Sequence, residues 1–155
     1  MVLKKPELLI PAGSLEVLRV AVDYGADAVY IGGEMFSLRA KAKNFSKEDM
    51  IEAVSYAHAR GVKVYVTANI TAHNSDLCGV REYFYELMEV MPDGVIISDP
   101  GVFSIAKGIF RGQIEIHIST QANNVNYLFE ASVGGGIPII RPLNQCMVAN
   151  RIEEI

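Results

Sequence analysis

The sequence is poor in the residues that hold small proteins together by cross-links. Its 155 residues include two cysteines, Cys78 and Cys146. They form no C-x-x-C pair and no metal-ligand residues gather beside them, so they read as free thiols in a reducing compartment, and a disulfide scaffold is excluded. No metal site is expected. Long apolar runs are missing too, and nothing reaches membrane-spanning length. The start, Met1-Val-Leu-Lys-Lys-Pro-Glu-Leu-Leu-Ile10, carries an apolar patch too short for a signal-peptide core, and Pro11-Ala-Gly13 interrupts it. A cytoplasmic location with no membrane partner is expected. A strong charge of one sign is also absent. A net charge of -4 argues against nonspecific coating of nucleic acid, though not against a local basic patch. Several signatures are missing as well. Gly32-Gly33 lacks the G-x-G-x-x-G spacing, and there is no G-K-[ST] loop, G-x-S-x-G elbow or H-E-x-x-H helix.

What is present is a chain half of whose residues are hydrophobic, enough for one domain with a sizeable core. Short apolar runs alternate with helical patterns. Leu8-Leu-Ile10 reads as a strand, and Ser14 then caps a helix with Leu15, Leu18 and Val22 on one face. Gly25 suits the left-handed position that ends it. Ala28-Val-Tyr-Ile31 is the second strand. Ser46 with Asp49 resembles a capping box, opening a helix that stops at Arg60-Gly61. Val62 to Val66, Gly94 to Ser98 and Ile114 to Ser119 read as strands three to five, with helices over 77–90 and 102–110 between them. Ile137-Pro-Ile-Ile140 offers a sixth strand. Such alternation predicts right-handed βαβ units and a parallel sheet. Two architectures satisfy it, an open doubly wound sheet and a (β/α) barrel. The length taken alone favours the open sheet, since a barrel normally needs about 200 to 250 residues.

Parallel α/β proteins place their chemistry at the carboxyl ends of the strands. Here those ends collect Arg39, Asn69, Asp99, His117, Ser119, Gln121 and Asn123. The stretch Glu115-Ile-His-Ile-Ser-Thr-Gln-Ala-Asn123 stands out, because a strand that gives alternate positions to His117, Ser119 and Gln121 loses core-filling volume. It reads either as the polar floor of a ligand site or as a half-solvated edge strand. His117, Asp99 and Ser119 are the candidate catalytic residues, and Arg39, Asn69, Gln121 and Asn123 the candidate substrate-binding ones. Each has a plainer reading. Asp99 before Pro100-Gly101 is a natural turn former or helix cap, and a lone His117 is as often a structural hydrogen bonder as a general base. Arg39, Lys41 and Lys43 would suit phosphate or carboxylate, or a solvated loop. Ser119 and His117 face the same side of one strand without a third member, so serine-protease chemistry has no support.

A resemblance runs through these residues in order. Lys5-Pro-Glu-Leu-Leu-Ile-Pro-Ala-Gly-Ser14, Gly25-Ala-Asp-Ala-Val-Tyr-Ile-Gly-Gly33, Phe36-Ser-Leu-Arg-Ala40, Tyr56-Ala-His58 and Gly61-Val-Lys-Val-Tyr-Val-Thr67 open it. Asp99-Pro-Gly101 and His117-Ile-Ser-Thr-Gln-Ala-Asn123 continue it. Over about residues 5–127 the chain resembles peptidase family U32, the collagenase-like proteases. The resemblance implies an α/β fold, a parallel TIM-barrel-like domain that is incomplete here, with about five to six βα units over 1–127. Residues 128–155 depart from it. Gly134-Gly-Gly136 cannot sustain a helix and Pro138 and Pro142 suit no central strand, so a divergent, poorly ordered tail is expected. The implied activity is peptide hydrolysis, by a truncated catalytic domain. The alternatives are a fragment of an RNA-hydroxylating enzyme, acting on tRNA or ribosomal RNA, and a non-catalytic half-barrel that binds a partner. The RNA-modifying branches resemble iron–sulfur proteins whose cluster cysteines lie mostly in the second half of the barrel. Neither Cys78 nor Cys146 matches one, so no cofactor is expected in this chain and a cluster is implied only for a full-length relative. The expected partners are a peptide or RNA substrate, together with self-association or a complementary half-barrel.

Overall fold

The structure is a computed structural model and is described for residues 7–33 and 44–122. Five strands, β1 (Leu9–Pro11), β2 (Ala28–Gly32), β3 (Lys63–Ala68), β4 (Gly94–Ile97) and β5 (Glu115–Ile118), alternate with four helices. These are α1 (Leu15–Asp23), α2 (Lys47–His58), α3 (Leu77–Val90) and α4 (Pro100–Phe110). A single 3-10 turn, Thr120–Ala122, follows β5. The sixth strand expected over 137–140 and the tail over 128–155 lie outside the described residues.

Local chemistry accounts for the helix boundaries. Ser14 Oγ accepts the Val17 N–H at 3.3 Å and starts α1. Ser46 and Asp49 exchange hydrogen bonds in a capping box that starts α2. Asp99 Oδ1 accepts the Val102 N–H at 2.9 Å, with Pro100 in the first turn of α4, where its missing N–H costs nothing. Gly25, at φ +93°, supplies the left-handed step after α1, and Gly61, at φ +72°, does so after α2.

All strand pairs are parallel and the sheet runs β1-β2-β3-β4-β5, in chain order. Strand side chains alternate between two faces. Val29, Ile31, Val64, Val66, Val95, Ile97 and Ile118 project to one face. There they form a single core with Leu18 of α1, Met50 of α2, Phe84 and Leu87 of α3 and Phe110 of α4. Each of these fully buried large side chains contributes about 1.5–3 kcal/mol by leaving water. All four helices therefore cover the same face. An open doubly wound sheet would reverse its strand order and carry helices on both faces, so the architecture favoured by length alone is overturned. The structure is α/β, the arc of a TIM-like (β/α) barrel. The other face, which becomes the barrel's interior, holds the small cluster of Ala28, Tyr65 and Ile96 with Leu9 and Tyr30 packed on it.

Close packing demands glycine at two points. A Cβ on Gly33, just past β2, would collide with the Tyr83 hydroxyl of α3. A Cβ on Gly94 would lie 3.0 Å from the rings of both His117 and Tyr65. The glycines let a helix close over the sheet on one side and an imidazole lie flat on the other.

Among the described residues, β1 and β5 each pair on one side only. The helix α1 and its C-cap present Val17, Val20 and Tyr24, 46%, 54% and 87% exposed. These lie at i, i+3 and i+7, on the flank opposite Arg19, which pairs with Glu52 of α2. Open edges and an apolar stripe together invite pairing with another chain. The purified chain is expected to self-associate as its concentration rises, which sedimentation across a concentration series measures. A compact monomer throughout, with strongly protected amides in both β1 and β5, would show that the chain covers its own edges.

Candidate functional site

Parallel pairing brings the carboxyl ends of all five strands to one rim. The last paired row across the middle of the sheet is Ala68, Ile97 and Ile118. One residue further along the three chains stand Asn69, Ser98 and Ser119, and beyond these Asp99 and Gln121. Asn69, Asp99, Ser119 and Gln121 thus share the rim, although they span more than fifty positions of sequence. The helices leave from the same rim, so their amino termini, with partial positive charge, surround it. Arg39 and Asn123, with Lys41 and Lys43, lie outside the described residues.

Most rim groups already have a partner. Asp99 caps α4 through Val102, the plainer of its two readings. The Ser119 hydroxyl, buried, accepts the Gln121 N–H at 3.2 Å in a tight turn. Thr67, on the interior face of β3, donates its hydroxyl to the Ile31 carbonyl at 3.2 Å. Asn69 differs. Its Oδ1 is shut off from solvent and has no hydrogen-bond partner among the described residues. The Gln121 side chain is exposed.

His117 sits below the rim, inside β5, on the interior face. It is 7% exposed, and its ring lies against Tyr65 with centroids 4.5 Å apart. Its Nε2 is 3.1 Å from Glu115 Oε2, two residues back toward the amino end. A carboxylate can only accept, so Nε2 carries the hydrogen and donates it. Tyr65 in turn donates its hydroxyl to Glu7 at 3.0 Å, and Lys63 pairs with the same carboxylate at 3.2 Å. Burial, and then the hydrogen bond to Glu7, push the Tyr65 phenol well above its usual range. The hydrogen bond to Glu7 and that carboxylate's charge likewise raise Lys63. The interior floor is therefore a chain of polar contacts, from Lys63 through Glu7 and Tyr65 to His117 and Glu115. Sequence reasoning missed Tyr65 and Glu115 as neighbours of His117, and Glu7 and Lys63 beyond Tyr65. The available signal was the alternation of Lys63 and Tyr65 on β3 with Glu115 and His117 on β5, which assigns all four to one face.

No hydrogen bond joins Ser119 to His117 among the described residues. The arrangement offers amide and hydroxyl groups that can bind and orient a polar molecule, and among the described residues no nucleophile is held by a base. Among the described residues no group of three His, Cys, Asp or Glu could hold a metal ion, and Cys78 lies exposed in the first turn of α3. No described helix is long and apolar enough to cross a membrane.

Comparison with known proteins matches residues 13–130 to the profile of Peptidase family U32. The chain is 43% identical over 127 residues to the tRNA hydroxylation protein P1 of Bacillus subtilis, covering 82% of this chain and 30% of that protein. It is 48% identical over 123 residues to the tRNA hydroxylation protein P of Helicobacter pylori, covering 79% of this chain and 29% of that one. The chain thus spans under a third of the length of these relatives. Among solved structures it superposes on the U32 peptidase Mk0906 with a TM-score of 0.53 at 16% identity. That match covers 79% of this chain and 53% of that one, and it supports the shared fold.

Two expectations follow from the geometry. If Asp99 serves as a cap, Asp99→Ala lowers stability by about 1 kcal/mol while Asp99→Asn, an equally good cap, leaves it unchanged; urea unfolding of both variants measures this. Equal losses in the two would show that the carboxylate's charge, not the cap, matters. The second concerns pH. Burial raises the phenols of Tyr65 and Tyr83, so their neutral forms are favoured by folding. Their contribution is complete below the ordinary tyrosine value of about 10 and is lost as the pH climbs above it toward the raised values. Ultraviolet titration should show these two phenols ionising only as the fold opens. Ionisation of all seven tyrosines together near pH 10, with the fold intact, would contradict the buried network.

Proposed function

Since the chain belongs to peptidase family U32, we propose that within that family it serves RNA hydroxylation, seating a tRNA substrate on the rim of its βα units, rather than peptide hydrolysis. One observation carries the reading: identity of 43% and 48% over about four fifths of the chain to two proteins named for tRNA hydroxylation. The rim agrees with it. It holds groups that bind and orient, whereas Ser119 is bonded to its own turn and His117 to Glu115 below. A hydrolase would need a nucleophile and base within reach of each other. In this reading Asn69 and Gln121 orient the RNA at the strand ends, and Arg39, Lys41 and Lys43 meet phosphate. The described residues do not fit a cluster ligand set, so their share of the chemistry is binding and orientation. A cytoplasmic location, where tRNA is found, is part of the proposal.

The test uses the purified chain and an unmodified tRNA transcript. Binding is expected that weakens steeply with added salt, as contacts to phosphate require, with no cleavage of casein or collagen above background. Reproducible gelatin cleavage that His117→Ala abolishes, with no tRNA binding at low salt, would replace this reading with peptide hydrolysis.

A further inference from the structure

We infer that Asn69 is the rim residue whose Oδ1 recognises a hydrogen-bond donor on the bound RNA, a base-edge N–H or a ribose hydroxyl; this rests on the RNA reading above. The inference comes from which rim groups already have partners. Thr67 donates to Ile31, Asp99 holds the start of α4 and Ser119 holds its turn. Asn69 stands in the same row as Ser119, and alternation from Thr67 puts it on the interior side. Its Oδ1 is enclosed without any partner. Buried polar groups in native proteins are almost all paired, so an enclosed carbonyl without a partner calls for an explanation.

The rest of the Asn69 side chain is only half-buried. The torsion that turns its amide is soft, without the three sharp wells of an aliphatic bond. A donor arriving at the rim can therefore draw Oδ1 out of its enclosure and satisfy it. What it accepts is restricted by charge and valence. An amide oxygen takes hydrogen bonds and gives none, and a phosphate diester carries acceptors alone, so Oδ1 and phosphate cannot pair, whereas the Nδ2 amine of the same side chain donates. Donors on RNA are the ring and exocyclic N–H groups of the bases and the 2′-hydroxyl. Asn69 would thus add selectivity where the cationic loop and helix termini add only attraction.

The experiment measures binding of the full chain to an unmodified tRNA transcript over a range of salt, with Asn69→Leu and Asn69→Ala beside the wild type. Both variants are expected to bind about tenfold more weakly, as loss of one buried hydrogen bond implies. The slope of log affinity against log salt should stay the same, because Asn69 carries no charge and neutralises no phosphate. Their melting temperatures should be unchanged or higher, since the unpaired carbonyl has been removed. A deoxyribose version of the same sequence identifies the donor: a variant effect that persists on it assigns a base N–H, and one that disappears assigns the 2′-hydroxyl. Unchanged affinity, a shallower salt slope, or lower melting temperatures in both variants would overturn the inference. The last result would mean that the amide is bonded inside the fold. Tight binding by wild type and variants alike would sink this assignment and leave the proposed function standing. A wild type that binds no tRNA at low salt would remove both.

Discussion

Every crossover in this chain places its helix on the same face of the sheet, and the rest of the structure depends on that. Right-handed connection between neighbouring parallel strands is the usual outcome of strand twist and helix handedness. Repeated without a reversal of strand order, it stacks α1 to α4 on one side, so that none of the described helices covers the other. It also sends every carboxyl end to one rim and every helix amino terminus with it. Ser14, Ser46 and Asp99, which cap α1, α2 and α4, therefore all lie at that rim, and the rim's polarity is in part the cost of starting helices there.

The two faces of the sheet carry different chemistry because they meet different neighbours. Toward the helices the strands show Val and Ile almost without exception, and Phe84 stacks on Phe110 at 5.0 Å behind them. Toward the interior the apolar residues are few and a polar chain runs beside them. His117 belongs to that chain. Packed at a tilt against Tyr65, bonded to Glu115 and accommodated by Gly94, it acts as a strut between β3 and β5. Removing Glu115 would free the ring's Nε2, while the packing against Tyr65 would still hold the ring in place. Polar networks of this kind are favourable only when each member is satisfied, and the links from Lys63 through Glu7 and Tyr65 meet that condition.

The proposed seating of RNA on this rim agrees with described rim groups that mostly have partners, above a floor that is bonded together. Covalent catalysis on a peptide needs a serine or similar group with its proton acceptor alongside, and here the serine and the histidine are engaged in opposite directions along the strand. Recognition needs rigid walls and a small number of unfilled hydrogen-bonding positions. Among the described residues the βα units provide the walls, and Asn69 Oδ1 stands enclosed at the rim without a partner.

Much of the architecture was legible in the sequence, because its causes are local. The caps at Ser14, Ser46 and Asp99, the left-handed glycines and the apolar runs of β2 and β4 each announce an element through chemistry that acts within a few residues, and α3 spans 77–90 as its apolar spacing predicts. Parallel pairing followed from the alternation of strands and helices, and with it the grouping of Asn69, Asp99, Ser119 and Gln121 at one end. Strand order was not legible from length, which pointed to an open sheet; the family resemblance pointed correctly to a barrel. What only the tertiary structure decided is which of the rim's polar groups are already satisfied. Whether Asp99 caps or catalyses, whether His117 turns to the rim or to Glu115, and whether Asn69 finds a partner depend on distances of about 3 Å. Those distances are set jointly by strand register, twist and the packing of Tyr65 and Gly94 from elsewhere in the chain, and no pattern along one segment encodes them.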